Sequence, residues 1–232
     1  MRRFGLFALV LLLWGGAAAR DGFEDWVAAT VLPPVLAETS IEVRDRDGRL
    51  LRGYTVADGR WRFSVTLDQI DPKLVAMLIA YEDKRFWRHP GVDVRAVARA
   101  VWQALSHGRV VSGGSTLTMQ VARLLEDSGT GALSGKLRQA RLALALERRL
   151  TKREILTLYF THAPYGGNLE GVRAATLGYF GKEPRRLTPA EAALLVALPQ
   201  SPEGRRPDKR PARALAARDR VLARMRRFAV ID

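Results

Sequence analysis

The chain opens with two arginines after Met1 and then runs uncharged from Phe4 to Ala19, 16 residues in all. As a helix that run would reach about 24 Å, against roughly 30 Å of bilayer hydrocarbon. Trp14 at headgroup level and arginines at both ends can close the gap. Residues 1–20 therefore read as a single N-terminal membrane anchor, with Arg2 and Arg3 keeping the start inside and the rest outside. The alternative is a cleaved signal peptide, because Ala17-Ala18-Ala19 resembles a cleavage site. Residues 21–40 form a connector of some amphipathic character, stopped by Pro33-Pro34.

Beyond residue 40 the pattern changes twice. Residues 41–67 carry short β-prone runs around Asp47-Gly48 and Asp58-Gly59, which predicts a small hairpin or meander. From residue 71 to 232 the spacing turns helical. Leu74, Met77, Leu78 and Tyr81 share one face. Thr151-Lys152-Arg153-Glu154 and Thr188-Pro189-Ala190-Glu191 are capping boxes, each ahead of an apolar helix. Leu142–Leu146 is apolar all round and predicts a helix in the core, and a last basic helix begins near Ala212. The fold class expected is mainly α, with the domain spanning 41–232.

Composition narrows the chemistry. The chain has 232 residues and no cysteine, which excludes disulfides, thiolate metal sites and a thiol nucleophile. His89, His107 and His162 form no close pair, so no metal ligands are assigned. The net charge of +14 is uneven: residues 1–130 carry 17 basic and 15 acidic side chains, residues 131–232 carry 21 and 9. Such a basic half fits nucleic acid, anionic lipid or a phosphorylated substrate. Export argues against nucleic acid.

Three segments could carry chemistry. In Tyr81–Gly91, Glu82 and Asp83 sit among three basic and three aromatic side chains. A carboxylate beside apolar rings can accept protons, although a solvated ion cluster would look the same. In Ser112–Arg123, two glycines precede Ser115 and Thr116, either of which can cap a helix, with Gln120 and Arg123 on one face. Free N–H groups there could hold phosphate oxygens, or the stretch could be an ordinary capped loop. In Gly135–Gln139, Lys136 and Gln139 lie one turn apart and can share a cleft, or form the polar first turn of a buried helix.

Taken in order, these segments resemble the peptidoglycan glycosyltransferases: the polymerase domain of class A penicillin-binding proteins and their single-domain relatives. The family motif Glu-Asp-x-x-Phe-x-x-His-x-Gly is matched by Glu82, Asp83, Phe86, His89 and Gly91. Gly-x-Ser-Thr-Ile/Leu-Thr-x-Gln is matched by Gly113, Ser115, Thr116, Leu117, Thr118 and Gln120. Three further motifs are matched in part, at Gly135–Gln139, at Lys152, Ile155, Leu156 and Tyr159, and at 217–222. The Gly-Lys-x-x-Gln form and Ala163-Pro164-Tyr165-Gly166-Gly167 look like the C-type members, which carry a transpeptidase domain downstream. The chain therefore reads as a single-domain version or as the front of a two-domain protein, with the second expected.

The resemblance implies a lysozyme-like, bilobal transglycosylase domain. It implies polymerisation of lipid II into a β-1,4 glycan, with inversion and release of the polyprenyl pyrophosphate. Glu82 takes the place of the general base, with Asp83 and Gln139 at catalytic positions. Lys136, Arg123, Ser115, Thr116, Gln120 and His89 take substrate-binding places. Partners implied are lipid II, the growing glycan, the bacterial inner membrane and other cell-wall synthesis proteins, with the domain on the outer face of that membrane. The family's second glutamate is associated with a divalent cation, magnesium or manganese. Gln139 stands there instead, and an amide binds such ions weakly. Reduced metal dependence, a slow or specialised enzyme, and compensation by Glu147 are all open. The rival readings are a lysozyme-like hydrolase and a non-catalytic scaffold that holds lipid II.

Overall fold

The computed structural model describes residues 2–36, 38–108, 113–126 and 133–231. Helix α1 (Arg2–Ala28) leads into strands β1 (Glu42–Arg44), β2 (Leu50–Gly53) and β3 (Trp61–Arg62). Helices α2 (Pro72–Glu82), α3 (Val94–His107), α4 (Leu117–Leu125), α5 (Leu133–Glu147) and α6 (Lys152–His162) follow. Strands β4 (Pro164–Gly166) and β5 (Leu169–Glu170) precede α7 (Val172–Phe180), α8 (Pro189–Ala197) and α9 (Pro211–Arg227). The molecule is mainly α.

Helix starts follow their caps. Thr151 and Thr188 close both capping boxes with Glu154 and Glu191. The carboxylate of Asp71 accepts the Lys73 N–H at the start of α2 and the Leu187 N–H just ahead of α8. One buried acid thus ties the starts of two helices that pack together. Helices α2, α8 and α9 form one packed group, and α4, α5 and α6 another. Leu74, Met77 and Leu78 of α2, Leu142 and Leu146 of α5, and Ile155 and Phe160 of α6 are nearly or fully buried in one continuous core.

The expected hairpin forms between β1 and β2, antiparallel, with Val43 opposite Arg52. Both Asp-Gly turns close, through Gly48 N–H to Asp45 O and Gly59 N–H to Val56 O. A continuous meander does not form. Strand β3 leaves the hairpin and lies parallel to β5, which pairs antiparallel with β4. The partner of Trp61 is Leu169, far along the chain, so no local pattern announces it. Beneath this sheet Arg62 Nε and Arg60 Nη1 donate to the two oxygens of Glu170, and His162 Nδ1 lies 3.3 Å from Glu170 Oε1. Burial pushes the Glu170 carboxyl up, but hydrogen bonds from His162, Arg62 and Arg60 outweigh it and bring it down to about 2.

Helix α1 continues through residue 20 and ends against α5. Arg141 donates twice to Trp26 O and stacks on the Trp26 ring, Arg148 bonds Glu24, and Arg149 reaches Thr30 O. Among the described residues, no helix is long and apolar enough to cross a membrane.

Candidate active site

Glu82 is the last residue of α2, whose buried face fixes where that end points. The helix stops because Asp83 turns the chain out of helical geometry. Glu82 thereby faces a cleft of about 720 Å³, and Asp83 turns inward. The cleft lies between the end of α2, the start of α3, the loop into α4, Gln200 and Arg224. Two amides hold the Glu82 carboxylate: Gln120 Nε2 donates to Oε2 at 2.9 Å, and Gln200 Nε2 donates to Oε1 at 2.7 Å. Each oxygen keeps further lone-pair capacity.

Asp83 has a different place. It is buried, and its Oδ2 accepts the Leu117 N–H at 3.0 Å at the start of α4. His89 Nε2 stands 2.9 Å from the same oxygen and 3.1 Å from Oδ1. Because His89 Nδ1 accepts the Gly91 N–H, the hydrogen-bond network assigns the ring proton to Nε2, which donates to Asp83. Gly91 has φ +100°, and an added Cβ would lie 2.7 Å from the Ala143 carbonyl oxygen, so only glycine suits this approach of α5. Thr116 caps α4 through the Met119 N–H and donates its hydroxyl proton to Gly91 O. Lys152 donates to His89 O and to Glu147 Oε1, where Thr118 also donates. The Glu82–Gly91, Gly113–Gln120 and Lys152 segments are therefore one hydrogen-bonded framework with Glu82 on its open side.

Glu82, Asp83, Ser115, Thr116 and Gln120 all line the cleft. His89, expected at the substrate, is instead buried beneath Asp83 and takes no part in the lining. Lys136, Arg123 and Gln139 do not line this cleft either. Lys136 is exposed near the start of α5, and Gln139 is turned inward. Arg123 is half-buried on α4. Burial pushes the Tyr159 hydroxyl well up; the charge of Glu82 raises it further and that of Arg123 opposes the rise.

Sequence reasoning passed over Gln200, Arg224 and the Arg85–Asp93 pair. Gln200 ends a 3-10 turn after the apolar α8, and its polarity at the end of that run is the one local signal. Arg85 grips Asp93 through two bonds of 2.8 and 2.6 Å, and Asp93 caps α3 through the Ala96 N–H. Burial pushes the Asp93 carboxyl up, but Arg85 and the Ala96 N–H hold it below its ordinary value.

Among the described residues, Gln139 and Glu147 do not suit a divalent cation. Gln139 offers a neutral amide. Glu147, the one carboxylate within α5, already accepts from Thr118 and Lys152. Among the described residues, no group of three or more histidines and acids is placed to hold a metal.

The family model described as Transglycosylase matches residues 47–226. The chain belongs to the transglycosylase family. Penicillin-binding protein 1C of Escherichia coli (strain K12) is 54% identical over 180 residues, 78% of this chain and 23% of that protein. Penicillin-binding protein 1A of Aquifex aeolicus (strain VF5) is 40% identical over 221 residues, 95% of this chain and 29% of that protein. The chain thus spans about a quarter of the length of these relatives. Penicillin-binding protein 1A of Haemophilus influenzae, a solved structure, aligns with a TM-score of 0.45 at 21% identity, over 88% of this chain and 19% of that one.

Proposed function

We propose that the domain is a peptidoglycan glycosyltransferase that polymerises lipid II, with Glu82 as the general base. The observation that carries this reading is the division of the cleft's acids. Asp83 is buried and bonded by His89 and the Leu117 N–H, and Asp93 is paired with Arg85, which leaves Glu82, among the described residues, as the lining carboxylate held by two side-chain amides and open to the cleft. A base needs a lone pair aimed at the proton it takes, and Glu82 is gripped by neutral donors that leave such pairs available. In the proposed step, the acceptor sugar's 4-hydroxyl gives its proton to Glu82 as its oxygen attacks the anomeric carbon of the donor. The bond from that carbon to the pyrophosphate breaks on the opposite face, so the configuration inverts. Charge grows on the departing pyrophosphate, and cations and donors aimed there favour the transition state over the ground state. Ser115 is exposed in the cleft for this role, and Arg99 and Arg224 line the same cleft, whereas Arg123 and Lys136 lie outside its lining.

A hydrolase reading is disfavoured, because hydrolysis usually needs a second, separated carboxylate. Asp83 adjoins Glu82 in sequence and is already committed to its own bonds.

The domain would work against a bilayer of the bacterial inner membrane, on its outer face. Helix α3 turns Val94, Val101, Trp102 and Leu105 to solvent, and its Asp93 cap and Arg99 belong to the cleft. That apolar stripe suits contact with lipid beside the cleft mouth, and the uncharged run from Phe4 to Ala19 would add a second apolar contact with the same surface.

Feeding lipid II to the detergent-solubilised protein tests the reading. Glycan ladders with release of polyprenyl pyrophosphate, persisting in EDTA, are expected. Binding of lipid II without turnover would establish a scaffold, and release of sugars from finished peptidoglycan a hydrolase.

A further inference from the structure

The carboxylate of Glu82 is held from both sides of the cleft, and only one of those holds belongs to the motif segments. The other comes from Gln200, on the turn that closes α8. That turn is fixed in place: Leu198 is fully buried, and Ser201 N–H bonds back to Leu198 O. Gln200 Oε1 in turn accepts from Arg205 Nη1 at 2.9 Å, and the same nitrogen donates to Ala197 O, at the end of α8, at 2.6 Å.

We infer that Gln200 is a positioning residue for Glu82, and that Arg205 acts through it by fixing which way round its amide lies. The inference rests on Glu82 being the base. A glutamine side chain can present oxygen or nitrogen to a neighbour with little change of shape. An amide oxygen turned toward the Glu82 carboxylate would place acceptor against acceptor. Arg205 prevents this because a guanidinium can only donate. It holds the amide oxygen, so the NH2 must face Glu82. Arg205 is itself held by a helix-end carbonyl, so the chain Ala197–Arg205–Gln200–Glu82 runs from the packed end of α8 to the proposed base. With Gln120 on the other oxygen, the carboxylate plane is fixed before substrate arrives. Fixed geometry of this kind matters to rate, since displacement of a reacting group by about 1 Å can cost on the order of 100-fold. Gln200 bonds the base rather than the sugar, so its loss should reach kcat and leave KM nearly alone.

The test uses the full chain with lipid II, measuring kcat and KM alongside the thermal midpoint. Gln200→Ala is expected to lower kcat about 10-fold to 100-fold with KM within about twofold. Gln200→Glu, the same size but with no N–H to give, should fall at least as far. Arg205→Ala should lower kcat about 5-fold in the wild-type background, add nothing in the Gln200→Ala background, and be partly rescued by Arg205→Lys. An unchanged kcat in Gln200→Ala, or a full additional loss from Arg205→Ala in that background, would overturn the relay. Glu82→Gln run in parallel separates the two claims. Its inactivity beside a fully active Gln200→Ala removes the relay alone, whereas its activity removes the base and the relay with it.

Discussion

Asp83 and His89 lie under the cleft, where one carboxylate joins the loop after α2 to the first turn of α4. Removing it leaves the His89 ring and the Leu117 N–H without that partner in the interior. Asp83→Ala should therefore cost about 2–3 kcal/mol in denaturant unfolding, and Asp83→Asn less, because its amide oxygen can still accept from Leu117. Activity would fall with stability in both. Glu82 faces the cleft, so Glu82→Gln should leave stability within about 0.5 kcal/mol of wild type. Equal losses of stability at the two positions would contradict this division. The pair of acids was plain in the sequence, but which faced solvent was not. Motif spacing gives residue types at positions, and the same spacing serves a cleft residue and its buried support. His89 shows this: an imidazole in a motif looks like a ligand until its Nε2 is found against Asp83. Gln200 offered only its polarity at the end of an apolar run, since it meets Glu82 only after α8 has packed on α2.

At the scale of elements, the legible features were those whose cause is local. Thr151 and Thr188 announce their helices because the side chain that caps lies three residues from the N–H it accepts. Thr188→Ala should cost about 1 kcal/mol, read from the shift in the denaturant midpoint at constant slope. The β1–β2 hairpin was legible for the same reason. The β3–β5–β4 sheet was not, because its parallel pair joins segments more than a hundred residues apart, and neither strand exceeds two residues. That sheet is held in part by ion pairs, with a consequence in acid. Despite burial, the Glu170 carboxyl lies at about 2 rather than 4.5, because His162, Arg62 and Arg60 bond its charged form. A depressed carboxylate contributes stability that is whole above the unfolded value and is lost as pH falls toward the folded one. Glu170→Gln should thus be less stable at pH 7 by up to about 3 kcal/mol. The gap to wild type should narrow as pH drops from 4.5 toward 2. A gap constant over that range would show that packing, not charge, is what the substitution removes.

Across the whole molecule, three features fit the proposal that the cleft faces a bilayer. Arg141 of α5, with Arg148 and Arg149 just beyond it, holds the end of α1 and the turn after it, α3 exposes an apolar stripe beside the cleft, and residues 131–232 carry most of the net positive charge. The charge asymmetry and the apolar opening run were legible in the sequence, while the exposure of α3, where Ala96 is the one buried residue among those described, emerged only from the structure. Trp102 and Leu105 are 70% and 79% exposed, so Trp102→Glu with Leu105→Glu should leave the fold intact. In vesicles of anionic lipid the doubly substituted protein should turn over lipid II several-fold more slowly, with little change in detergent. Equal rates in both settings would take α3 away from the membrane.

The most direct measurement is the steady-state rate of lipid II polymerisation by Glu82→Gln, with its affinity for lipid II determined on the same preparation. Removing a general base should lower kcat by about 100-fold or more while binding stays within a few-fold, because glutamine keeps the shape and loses the proton acceptor. Polymerisation near the wild-type rate by a folded Glu82→Gln protein would contradict the assignment of Glu82 as the base.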